Sequence, residues 1–311
     1  MKSTDFLVIG GGAAGLSAGM YAGRYLISAA VIRGPEPGGE TATAWTIENY
    51  PGFLSIDGLE LVQKMEAHAK AAGAELVDGT VTAIEKKGNC FIATVGDEQY
   101  SAKTIVLAVG SARRRLGLPN EENLRGKGIS YCATCDAPLY KGRTVAIVGG
   151  GDSSIKGVNL VARYATKVYL IVRGTVLKGE PANLKQLSEK TNVEVLYENS
   201  VKEIIGTTTI EKVILDKEVN GSKELPVGGL FVEIGAQPRT ELSKMLGVDI
   251  DEKGHIKVNK FMHTNVPGVF AAGDITDGAG DFRQDITAAA QGAMAATSAY
   301  KYIGAHPEIV C

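Results

Sequence analysis

The residues best suited to chemistry stand in the segment YCATCDAPLY, residues 131–140. Cys132 and Cys135 are spaced so that their sulfurs can meet within one turn, letting a disulfide open and close without large backbone motion. Thiolate attack needs a lowered cysteine pKa, which a helix N-terminus can provide. Asp136, directly after the second cysteine, is placed to deliver or remove the proton as the disulfide exchanges. Zinc is the competing use of such a pair, and it requires two further ligands. The candidates are Cys90, Cys311, His68, His255, His263 and His306, which supply no second close pair. The pair is therefore expected to be redox-active, and no metal is expected. Cys90, inside the strand-like NCFIATV, reads as a small buried apolar residue, and Cys311 as a solitary terminal thiol.

Two glycine turns carry the second kind of chemistry. Gly10, Gly12 and Gly15 follow an apolar strand-like run and have the spacing of a dinucleotide turn. The first glycine permits the tight turn, the second lets backbone approach a pyrophosphate, and the third packs helix against strand. The helix that follows offers free N–H groups and a partial positive charge to the phosphates. The next strand ends at Arg33, and Glu36, three residues on, is expected to bind the adenosine ribose. The second turn has Gly149 and Gly151, with Ser154 where the third small residue belongs. Its second strand ends in Arg173, with Lys178 nearby. An arginine there in place of an acid suits a 2′-phosphate, hence NADPH over NADH. The plainer reading of Arg173 is a solvated residue at a strand end.

Around these turns the chain repeats one grammar. Residues 5–33 and 144–173 each read as buried strand, glycine turn, helix and second buried strand, the pattern of a βαβ unit in a parallel sheet. At 311 residues the chain is too long for one core, and length alone suggests two domains. Strand-rich stretches follow each unit, and a helical run is expected from about Asp285 to Ile303. The simplest arrangement inserts the second βαβ domain into the first, dividing the chain into 1–115 with 241–311, and 116–240. The fold class is thus α/β, with two Rossmann-like three-layer nucleotide-binding domains.

Lys and Arg total 33 against 35 for Asp and Glu, a net charge of −2 that gives no field for nucleic acid or an anionic membrane. Glycines interrupt the apolar stretch from Phe6 to Ala22, which suits strand, turn and helix better than a signal peptide. No apolar run is long enough to span a bilayer, so a cytoplasmic protein is expected. Four cysteines in such a chain do not suggest a disulfide scaffold.

With turns and cysteine pair in place, the chain resembles the low-molecular-weight, bacterial-type thioredoxin reductases along nearly its whole length. The likeness is carried by GGGAAG at 10–15, PGG at 37–39, ENYPG at 48–52, CATCD at 132–136, GGGDS at 149–153, AAGD at 271–274 and FRQDIT at 282–287. It implies a homodimer with an FAD domain interrupted by a smaller NADPH domain that carries the disulfide. FAD would be held by Gly10, Gly12, Ala13, Ala14 and Gly15, by Arg33, Glu36, Gly39 and Glu40, and by Asn49, Val81 and Gly110. Gly273, Asp274, Arg283, Gln284 and Asp285 would complete that site. NADPH would be held by Gly149, Gly151, Asp152, Ser153, Arg173 and Lys178. The resemblance further implies that the flavin reduces the disulfide through Cys135. Cys132 then attacks thioredoxin or a thioredoxin-like protein, with Asp136 as acid, and two domain orientations alternate.

Departures from the family fall mainly in the NADPH half. The usual His-Arg-Arg cluster is reduced to Val172, Arg173, Gly174 and a later Lys178, and the acidic pair after the second turn becomes Lys156 and Gly157. In the FAD half, Glu40 replaces a usual glutamine. NADH, ferredoxin or another donor are therefore alternatives to NADPH. Related readings are the reductase half of a peroxiredoxin system, which carries an additional N-terminal C-x-x-C module, and a ferredoxin–NADP reductase, a group without the central cysteines. A flavin-bound sensor or binding protein would have lost Cys132, Cys135 or Asp136.

Overall fold

A computed structural model describes residues 1–34, 38–44, 47–280 and 282–311, with backbone only at Thr134. The chain divides into two compact units, Met1–Ala112 with Pro238–Cys311, and Arg113–Gln237. The sequence reading puts these divides three residues further along, at 115/116 and 240/241.

In the first unit the strand Lys2–Ile9 lies between Ala29–Ile32 and Glu98–Leu107, parallel to both. Glu75–Val77 extends the sheet beyond Ala29–Ile32, and Val269–Ala271 pairs in parallel with Glu98–Leu107. The hairpin of Val81–Lys87 and Cys90–Val95 adds antiparallel to Glu98–Leu107. Strand alternation sends Phe6 and Val8 into one core and Leu7 and Ile9 into another, all almost fully buried. This is why the parallel strands read as continuous apolar runs, each such side chain stabilising the fold by roughly 1.5–3 kcal/mol.

Helices Ala13–Arg24 and Asp285–Ala305 pack together on the Phe6 face. Their touching surfaces are mostly alanine and glycine, and a Cβ at Gly292 would run into the Ala14 carbonyl. The long helix starts at a capping box in which Gln284 and Thr287 exchange hydrogen bonds with each other's backbone. It extends two residues beyond the expected Ile303.

The second unit holds a five-stranded parallel sheet. Its order is Val193–Leu196, Lys167–Ile171, Thr144–Val148, Leu230–Val232 and Ile129–Ser130. An antiparallel meander of Val201–Gly206, Ile210–Val219 and Ser222–Pro226 buries its apolar face in one core with Ala146, Val148 and Leu230. Helix Asp152–Val161 shares the other core with Val145, Ile147 and Phe231. The short helix Ala133–Asp136, which follows Cys132, packs against it.

Candidate active site

In the first unit the turn and the strand ends line an open-sided cavity of about 430 Å³. A Cβ at Gly15 would overlap the Gly10 carbonyl, and Gly10 itself turns with φ +120°. Both glycines are therefore required for the helix to start this close to the strand. Gly12 is the N-cap of helix Ala13–Arg24 and supplies no side-chain cap, so the first amides remain available to an anion.

The sequence-derived residues distribute as follows. Gly10, Gly12, Ala13 and Ala14, then Arg33, Gly39, Glu40, Val81 and Gly110, and finally Gly273, Asp274 and Asp285 all lie on the cavity wall. Gly15 lies beneath, against Gly10. Asn49 donates to the Gln284 side chain at 2.8 Å, away from the wall. Glu36 is outside the described residues. Arg33 reaches the wall with its charge already met, because its guanidinium pairs with Glu66 at 2.6 Å and Asp78 at 2.5 Å.

Two carboxyl groups of the cavity are held above the ordinary carboxylate range. Burial pushes Asp274 up, and Asp285 and Glu40 add to this while Arg283 opposes it. Burial likewise raises Asp285, whose carboxylate accepts the Thr41 hydroxyl at 2.6 Å. An uncapped helix start facing a wall of carboxylates suits a dinucleotide. The amides would suit a pyrophosphate, and the acids could accept hydroxyl or amide N–H donors.

In the second unit Cys132 and Cys135 form a disulfide, with Cα atoms 5.3 Å apart. Cys132 is the N-cap of helix Ala133–Asp136, and its sulfur accepts the Cys135 N–H at 3.2 Å. The Ser130 hydroxyl fixes the Cys132 backbone, accepting its N–H at 3.0 Å and donating to its carbonyl at 3.2 Å. Cys135 is exposed, whereas Cys132 and Asp136 are half-buried. Among the described residues, no group of three His, Cys, Asp or Glu gathers as metal ligands.

The second turn repeats the first with one substitution. Gly149 has φ +148°, and Ser154 fills the third small position, its hydroxyl bonding back to the Gly151 carbonyl at 2.7 Å. Gly151 caps helix Asp152–Val161 without a side-chain bond. The Asp152 carboxylate is engaged within the unit, accepting the Glu180 N–H at 2.9 Å and Asn183 at 3.0 Å and pairing with Lys156 at 2.7 Å. Burial pushes Asp152 up, but these partners outweigh it and hold its pKa below the usual value. Ser153, Arg173 and Lys178 are exposed, and the Lys178 N–H bonds the Gly150 carbonyl at 2.8 Å. Among the described residues neither Arg173 nor Lys178 makes an ion pair.

Two features escape the sequence reading. Cys90 and Cys311 are not an apolar filler and a lone thiol. They are disulfide-bonded, with Cα atoms 5.7 Å apart across 221 residues. The edge hairpin presents Cys90, and the C-terminus returns to it beside Ser3, whose hydroxyl donates to the Cys311 carbonyl at 2.8 Å. Parity alone, two cysteines left over from four, hinted at this. The second is Glu233, a buried acid at the end of strand Leu230–Val232 that touches the cysteine helix.

Two dinucleotide turns, one over an open-sided cavity and one in the unit that carries a closed cysteine pair, define an α/β oxidoreductase built around disulfide exchange. The family described as pyridine nucleotide-disulphide oxidoreductase matches residues 4–298, and the chain belongs to it. Membership brings flavin and pyridine nucleotide use. A thioredoxin reductase of Listeria innocua is 37% identical over 304 residues, covering 97% of this chain and 94% of that one. The solved thioredoxin reductase of Lactococcus lactis superposes with a TM-score of 0.91 at 33% identity, covering 97% of this chain and 99% of the other. That of T. acidophilum gives 0.89 at 34%, with the same coverage. No helix among the described residues is long and apolar enough to cross a membrane.

Proposed function

We propose that this protein is an FAD-dependent thioredoxin-disulfide reductase that draws electrons from NADPH and delivers them through Cys132 and Cys135 to thioredoxin or a thioredoxin-like protein. The observation that carries the reading is the cysteine pair, closed as a disulfide at the start of a helix in the unit that also bears the second dinucleotide turn. FAD, when bound in the first unit, supplies the two-electron relay between nicotinamide and disulfide. The Gly10–Gly15 turn and the amides after Gly12 would hold its pyrophosphate, while Glu40, Asp274 and Asp285 would accept from its hydroxyl and amide groups.

Within the second unit, Arg173 and Lys178 would meet the 2′-phosphate of the nucleotide as charged donors that make no ion pair among the described residues. Cys132 attacks the partner disulfide, its thiolate steadied by the Cys135 N–H, and Asp136 donates the proton to the departing thiol. Cys135 then closes on Cys132 and frees the reduced partner. The exposed Phe53, Leu54 and Leu59 of the first unit are apolar surface that a homodimer would cover. A cytoplasmic setting accompanies this reading.

The test is anaerobic mixing of the yellow protein with NADPH, NADH or reduced ferredoxin, with flavin absorbance followed by stopped flow. Bleaching by micromolar NADPH fixes the donor, whereas bleaching by NADH or ferredoxin alone moves the electron source and leaves the disulfide chemistry standing. Cys135→Ser should keep its flavin and lose thioredoxin reduction by more than about a thousandfold. Retained turnover in that variant sinks the role of the pair.

A further inference from the structure

Glu233 lies outside both glycine turns and outside the C-x-x-C segment, yet it holds the cysteine helix. It follows strand Leu230–Val232, and its side chain is 4% exposed. One carboxylate oxygen accepts the N–H of Ala133 at 3.2 Å, one peptide along from Cys132. The other accepts the Arg113 guanidinium at 2.8 Å. Gly157 makes room for this arrangement. A Cβ there would sit 3.1 Å from the Ala133 methyl and 3.8 Å from Glu233 Cγ.

We propose that Glu233 is a positioning residue that sets the redox poise of the Cys132–Cys135 pair, anchoring its helix through Ala133 and keeping a buried negative charge beside it. This rests on Cys132–Cys135 being the exchanging disulfide. A buried carboxylate this close raises the energy of a thiolate on Cys132, so the reduced pair keeps its protons to higher pH and the disulfide is favoured. Arg113 opposes that field, although at 30% exposure it is better screened than the acid. Among the described residues, the other titratable groups around the helix include Tyr131 just before it, Asp136 on it, Tyr140 with Arg143 just after it, and Asp152 paired with Lys156 on the packed helix. None of these changes when Glu233 alone is altered.

The exchange that reads this poise is balanced. One dithiothreitol gives two electrons and two protons, closes to its cyclic disulfide, and leaves Cys132 and Cys135 as thiols. The holoenzyme is equilibrated with fixed ratios of reduced to oxidised dithiothreitol at several pH values. Iodoacetamide labelling of the peptide carrying Cys132 is then followed by mass spectrometry.

In Glu233→Gln, which keeps the size and the acceptor for Ala133, the pH midpoint of labelling should fall by about one unit. Labelling at neutral pH should quicken only about threefold, because a thiolate of lower pKa is also a weaker nucleophile. Above both midpoints the dithiol fraction ratio should rise up to about tenfold, equivalent to about 30 mV for two electrons. Arg113→Gln should move the midpoint the opposite way.

An unmoved midpoint in Glu233→Gln with intact flavin absorbance overturns the proposal, since a purely structural role predicts that result. Should that variant not fold, Arg113→Gln decides: an upward shift supports the charge assignment and none refutes it. A wild-type pair that never exchanges with dithiothreitol would instead defeat the underlying reading, and this inference with it.

Discussion

Each unit carries an arginine just past its second strand, Arg33 directly after Ile32 and Arg173 two residues after Ile171, and the two residues have opposite circumstances. Arg33 is 15% exposed and gripped by Glu66, from helix Gly58–Ala71, and by Asp78, just past strand Glu75–Val77. Arg173 is exposed, and among the described residues it makes no ion pair. The acids that capture Arg33 make it part of the scaffold of the first unit, holding a helix and a strand end behind the cavity. Arg173, without such a grip among the described residues, is the residue proposed above to meet a nucleotide phosphate. In register Arg33 matches Val172, one residue before Arg173, so the first arginine braces its unit while the second stands in solvent, and position and neighbours together decide which.

The severest way to break the comparison is at the turn common to both units. Gly15→Val should place a branched side chain on the Gly10 carbonyl, at a cost on the order of 3 kcal/mol, and the protein should purify without yellow colour. A flavin-replete Gly15→Val protein would mean that the first turn does not govern cofactor binding.

The arginines themselves give the next effect. Arg173→Glu should raise the KM for NADPH by about 10- to 100-fold with kcat largely kept, while leaving thermal stability unchanged. Arg33→Met should do the reverse, leaving nucleotide preference alone and lowering stability by about 2 kcal/mol, because Glu66 is left half-buried without its partner. Steady-state kinetics and thermal melts on both variants check this, and any exchange of the two phenotypes refutes the assignment.

The smallest effect concerns the acids of the cavity. Burial raises the Asp285 pKa in the folded, flavin-free protein, so the folded state binds that proton more tightly than the unfolded chain. Its stabilising contribution is complete below about pH 4, the ordinary carboxylate value, and is lost as pH rises through the folded value. Flavin-stripped Asp285→Asn should therefore melt a few degrees above wild type at pH 8 and lose that advantage near pH 4.5. An equal gap at both pH values would remove the titration as its cause.

These contrasts also mark what the sequence could disclose. Glycine spacing, strand runs and the C-x-x-C pair are local patterns, and they identify both βαβ units and the segments lining the cavity. Glu66 and Asp78 are far from Arg33 in sequence, and nothing in their own segments marks them as its partners. Glu233 ends an apolar run, FVE, in which an acid reads as an ordinary strand terminus. Ser154 looks like a flaw in the second turn until its hydroxyl is seen bonding back to Gly151. Long-range pairing is settled by how the sheets assemble, and one sequence carries little trace of it.

The bond between Cys90 and Cys311 changes the connectivity of the molecule as well as its packing. It closes the chain from residue 90 to residue 311 into a covalent ring, and the whole of Arg113–Gln237 lies within that ring. The two separated pieces of the first unit are therefore linked twice, once through the inserted unit and once directly. During refolding the direct link keeps those pieces at high effective concentration whether or not the inserted unit has folded. A single proteolytic cut between residues 91 and 310 opens the ring and leaves one covalent molecule, which falls into two fragments only after reduction.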